Sequence, residues 1–181
     1  SSLGSGFCPE PGENQTPQVA RARLLALQRV RAQVEADFLS IQRDGIELRI
    51  APELSGHAER VLALVLPALD EAASATGTVR RTNLRVVVYR DRSELLAVTC
   101  TAAWVGGVFD GTVRLVGEPN EQVVRHECLH AQLEQALRRA PLWVHEGLAQ
   151  WFADRGVLLW NRSLTLMVDN ATYVPFASLN D

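Results

Sequence analysis

The segment EQVVRHECLHAQLEQAL, Glu121 to Leu137, is helical in pattern and contains His126-Glu127-Cys128-Leu129-His130. Residues four apart lie on one face of an α-helix, one turn from each other, so the two imidazoles can converge on a single ion. Zinc accepts such nitrogens at about 2.0–2.1 Å. Glu127 directly follows the first histidine, where its carboxylate can take the proton of an attacking water as general base. Cys128 and Leu129 face away and are expected in a core. A surface helix with two incidental histidines would show the same spacing, so the surroundings have to discriminate.

A catalytic zinc site needs a third protein ligand and keeps one position open. Glu134 continues the same helical row, but at 1.5 Å per residue it lies about 12 Å along the axis from His126, too far to share an ion. Beyond the break at Pro141, Trp143 to Ala153 reads as a second helix that carries His145 and Glu146. Folded back antiparallel to the first, it can bring one of these two side chains to the metal.

Upstream, Leu24, Leu27, Val30, Val34, Phe38 and Ile41 recur with helical spacing, which predicts a helix over Pro17–Ile41 with Thr16 as its cap. Gly45 breaks it. Ile46, Leu48 and Ile50 alternate with Glu47 and Arg49 as in a half-buried strand. A helix follows from about Gly56 to Ala75 and should end at Gly77. Leu84–Tyr89 is an apolar run expected as a more buried strand. Asp91 or Ser93 can cap a short helix through Leu95 and Leu96. Gly106-Gly107 marks a loop after Trp104, and Thr112–Val116 a further strand. Helices alternating with short strands predict an α/β or α+β layer with its helices on a small sheet; of the two we expect α+β, with a mostly antiparallel sheet packed on helices. Residues 1–16 read as a disordered tail that includes an expression scar at Ser1–Gly6, 17–44 as an N-terminal linker or accessory helix, and 45–181 as the main domain, ending abruptly as if truncated.

The 181 residues are 47% hydrophobic and 22% charged, enough to bury a sizeable core. A net charge of −3 argues against a nucleic-acid partner, since phosphate binding needs clustered positive charge. All 18 basic residues are Arg, scattered among acids as on a mixed solvated surface. No run reaches the roughly 20 apolar residues of a membrane span. Cys8, Cys100 and Cys128 allow one disulfide and a leftover thiol; Cys128 is expected as a small buried hydrophobe.

The residues His126-Glu-x-x-His130, followed by Pro141-Leu-Trp-Val-His-Glu146-Gly-Leu-Ala-Gln-Trp-Phe152, resemble the gluzincin metallopeptidases, in particular the peptidase MA-like group. Over roughly 45–181 the order of elements is also similar. The resemblance implies a zincin-like domain with an active-site helix and a glutamate helix, Zn2+ as cofactor, and peptide or protein as substrate. It makes Glu146 the third ligand, sixteen residues after His130, and leaves His145 out. Gly147 and Ala149 would be small because the two helices pack closely, and Thr112–Val116 would form the upper rim of a cleft, where an extended peptide adds as a strand.

Many gluzincins orient the first histidine with an Asp four residues after the third ligand. Gln150 holds that position and would act on His126 through its amide oxygen, without charge. The family's oxyanion donor lies beyond the third ligand, where Tyr173 is the available tyrosine; packing at a turn before Pro175 is its structural alternative. The family's frequent placement implies export to the cell envelope, periplasmic or secreted. A second functional class remains open, a catalytically inactive, zinc-stabilised binding or scaffold module with a peptidase-like fold.

Overall fold

The computed structural model describes residues 16–101, 105–137 and 140–154. They form α1 (Pro17–Val34), β1 (Leu39–Arg43), β2 (Ile46–Ile50), α2 (Ala58–Thr76), β3 (Leu84–Tyr89), α3 (Arg92–Thr99), β4 (Gly107–Phe109), β5 (Val113–Val116), α4 (Glu121–Ala136) and α5 (Leu142–Ala153). This is an α+β fold, as expected. The described residues fall into two compact units, one built from those of 16–63 and 82–119, the other from those of 64–81 and 120–154.

The first unit holds the sheet, in the order β1-β2-β3-β5-β4. Both edge pairings, β1 with β2 and β4 with β5, are antiparallel, whereas the central pairs β2/β3 and β3/β5 are parallel. Long connections containing helices separate the parallel neighbours, which is what a parallel pairing requires. The central strand β3 is buried at every position except Arg85; this explains its unbroken apolar run, since both faces are covered. Phe38, Val87, Tyr89, Leu95 and Val98 form the core, with Val30 and Val34 of α1 packed against it.

Two expectations are corrected here. The helix predicted to Ile41 stops at Val34, and Leu39–Arg43 is a strand. Asp44 and Gly45, both at positive φ (47° and 80°), make the two-residue turn that joins β1 to β2. Glycine is favoured at position 45, because a side chain is strained at that φ and its Cβ would come 3.2 Å from the Thr82 Cβ. Residues 17–44 are therefore part of this unit, α1 packing on α3 and β1 closing one sheet edge. Second, β5 has β3 on one side and β4 on the other. Its backbone groups are already paired, so it offers no free rim for an added strand; the sheet edges are β1 and β4.

A buried polar knot ties α1 to the sheet. The carboxylate of Glu35, just past α1, accepts from the Tyr89 hydroxyl (2.6 Å), from Arg114 (3.1 Å) and from Arg49 (3.2 Å). Burial pushes the Tyr89 phenol up, which keeps it protonated as a donor. Asp110 accepts from Arg114 Nε at 3.1 Å and from Arg31 at 2.5 Å. With one carboxylate facing two guanidiniums, Glu35→Ala strands buried charge and is expected to cost about 3–5 kcal/mol in urea unfolding. Glu35→Gln, which keeps acceptor capacity, should cost clearly less. Equal costs for the two would count against the charge argument.

In the second unit, α2 ends at Gly77 (φ 64°), with Thr78 N–H bonded to Ala73 O (3.0 Å) and Gly77 N–H to Ser74 O (3.3 Å). That is the left-handed helix terminus expected at this glycine. Ala72, Leu129, Leu133, Ala149 and Phe152 form the core between helices. The buried Gln132 amide donates to Thr78 Oγ1 and Val79 O (2.6 Å each) and accepts from Arg81 N (3.0 Å), fastening α4 to the segment after α2.

Candidate metal centre

Asn120 starts α4, its side chain accepting from Val123 N at 2.8 Å. Val124, Cys128 and Ala131 are wholly buried on that helix, and α5 packs against it. This leaves His126 and His130 on the side of α4 that meets Glu146. Their Nε2 atoms are 3.0 Å apart. Glu146 Oε2 lies 3.3 Å from His126 Nε2, and Oε1 lies 3.5 Å from His130 Nε2. Two donors at about 2.0–2.1 Å from one zinc in tetrahedral geometry stand about 3.3 Å apart, close to the separation between the two nitrogens and between each nitrogen and its nearer carboxylate oxygen. Among the described residues, no other group of three or more His, Cys, Asp and Glu has donor atoms this close.

Burial lowers the pKa of both imidazoles; His126 adds to the effect on His130, and the Glu146 carboxylate opposes it at both. Both rings are therefore neutral at neutral pH, which leaves each one ring nitrogen with a free lone pair, as metal binding requires. Glu146 is half exposed and both histidine side chains are mostly enclosed, so the triad is open on the glutamate side.

Glu127 is buried, at 6% exposure, next to the free and fully buried Cys128. Burial first, and then the neighbouring Glu127, push the Cys128 thiol up, so it is inert packing. Cys100 is disulfide-bonded. Glu134 pairs with Arg81 at 2.5 Å and is not part of the cluster. His145 also stays outside it, its Nε2 2.8 Å from Leu137 O. Ala149 is buried in the helix interface as expected, but Gly147 is exposed and a Cβ on it would meet nothing within 4 Å. Close packing therefore explains Ala149 and leaves Gly147 unexplained. Tyr173 lies outside the described residues.

Gln150 is turned away from the role expected of it. Its amide donates to Asp154 Oδ2 at 3.1 Å, and among the described residues it makes no hydrogen bond to His126. Asp154, which also accepts from Gln122 at 3.3 Å, is instead a carboxylate whose charge is felt at His126. It follows the last turn of α5, eight residues past Glu146, where no sequence spacing singled it out.

Arg125 is the other residue the sequence did not flag. Its buried guanidinium donates twice to Phe152 O (3.1 and 3.0 Å), pairs with Glu71, and lies 4.3 Å from the centroid of the Phe152 ring. It thereby clamps the C-terminal end of α5 to α4. No local signal marks it, because its partner is a backbone carbonyl 27 residues away. Neither protein-family models nor curated proteins give a match to this chain.

Proposed function

We propose that the chain is a zinc-dependent peptidase of gluzincin type. The observation that carries this reading is the convergence of His126, His130 and Glu146, with all three donor atoms within 4.8 Å of one another and Glu127 adjacent to the first ligand. A helix that bears histidines only by chance has no reason to meet a carboxylate from another helix at this spacing. Zinc bound there would polarise a substrate carbonyl and offset the charge that develops on its oxygen. His126, His130 and Glu146 would hold it. Glu127 would remove a proton from the attacking water and return it to the departing amine, which balances the hydrolysis of a peptide bond. The disulfide at Cys100 supports an exported placement, because such bonds persist in oxidising compartments.

One observation favours a second reading. Glu127 is almost fully buried, and a base closed off from water would leave a zinc-stabilised module that binds without turnover. The test is to load the purified chain with zinc and follow cleavage of a denatured, unstructured protein. Chelator-sensitive cleavage supports the peptidase; stoichiometric zinc without cleavage supports the binding module.

A further inference from the structure

Helix α5 begins without a side-chain cap. Pro141 occupies the cap position and offers no side-chain acceptor, and the backbone N–H groups of Val144 and His145 both fall back on Pro141 O, at 3.0 and 3.4 Å. The His145 side chain fastens this end to α4. Its Nε2 lies 2.8 Å from the carbonyl of Leu137, the residue that caps α4, and the same carbonyl accepts the Ala140 N–H at 2.8 Å. A carbonyl can only accept, so Nε2 carries the proton and cannot also ligate a metal. The ring lies alongside the His130 ring, centroids 6.4 Å apart and planes inclined by 27°. One imidazole thus touches both the end of α4 and the flank of a ligand.

We propose that His145 is a positioning residue of the metal centre, fixing the rotation of α5 so that Glu146, one step round the helix, faces His126 and His130. This rests on the metal-centre reading above. Glu146 needs such support, because it is half exposed and, among the described residues, its ion-pair contacts are the two histidines themselves. Arg125 holds the other end of the helix at Phe152 O, so α5 is pinned on both sides of Glu146. Pinning one end only would leave the first turn free to roll, and a carboxylate displaced by about 1 Å no longer closes a site whose metal–ligand distances tolerate about 0.2 Å.

The experiment measures zinc dissociation constants by competition with a chromogenic chelator, together with thermal unfolding of the metal-free protein. It compares the wild type with three variants of the full chain. His145→Phe keeps the ring and loses the donor; His145→Asn keeps polarity but is too short to bridge to Leu137; His145→Gln retains a donor of comparable reach. Zinc affinity is expected to fall about 10- to 100-fold in the Phe and Asn variants, as for other supporting residues of metal ligands, and to return most of the way in the Gln variant. If one of the first two does not fold, the other carries the comparison. Affinities within twofold of wild type in the folded Phe or Asn variant overturn the proposal. So does a loss of affinity that His145→Gln does not relieve. A wild type that binds no zinc overturns the metal centre itself, an outcome distinguishable from the failure of His145 alone.

Discussion

Glu146→Ala is expected to strip the chain of its metal. After dialysis against a weak chelator, the wild type should retain about one zinc per chain by mass spectrometry, as a three-ligand site does, and the variant essentially none. Changes in residues that merely support ligands weaken metal binding about 10- to 100-fold, and loss of a direct ligand should exceed that. The geometry explains why Glu146 has no substitute among the described residues. Glu134 is committed to Arg81, His145 to Leu137 O, and Asp154 to Gln122 and Gln150. Zinc retained in full by Glu146→Ala would show that the close approach of the glutamate at 3.3 and 3.5 Å is an ordinary carboxylate–imidazole contact. The metal would then have to be held by other residues.

Glu127→Gln separates catalysis from metal binding. The amide matches the carboxylate in size, so packing beside Cys128 is preserved, but it cannot take a proton at neutral pH. Turnover of a denatured protein is expected to fall about 10²- to 10⁴-fold, the usual weight of a general base, while zinc content stays at the wild-type level. Loss of zinc together with activity would instead mark Glu127 as part of the packing that supports the ligands. Unchanged turnover would remove it from the mechanism.

These two experiments address different parts of the site. The Glu146 variant asks whether α5 completes the triad, and the Glu127 variant asks whether the completed triad does hydrolytic chemistry. A chain that passes the first and fails the second fits the zinc-stabilised binding module, for which the burial of Glu127 already speaks.

Local chemistry was legible wherever the determining partners are close in sequence. The four-residue step from His126 to His130 places both on one helix face in any fold. Thr16, Gly77 and Asp91 end or start helices by bonding backbone groups within a few residues, and Cys128 and Leu129 follow from the same helical phase into the core. The stop of α1 at Val34 was missed because Phe38 and Ile41 continue the helical spacing. The Asp44-Gly45 pair, a hairpin turn by its own chemistry, was the local signal that outweighs that spacing once β2 is available to pair with.

What the sequence by itself determined is thus the helical face of the histidines, the glutamate beside them, and two candidates, His145 and Glu146, of which the family resemblance favoured the second. Tertiary structure alone decided which of those adjacent side chains reaches the histidines and which bonds the end of α4. It also decided that Asp154 rather than Gln150 brings a charge near His126, that β5 is an interior strand, and that Glu35, Tyr89 and Arg114 share one buried knot. The physical reason is common to all of these. A side chain's partner across a helix pair or a sheet is set by the rotation and register of whole elements, and these depend on contacts such as Arg125 to Phe152 O, which join residues with no periodic relation in the chain.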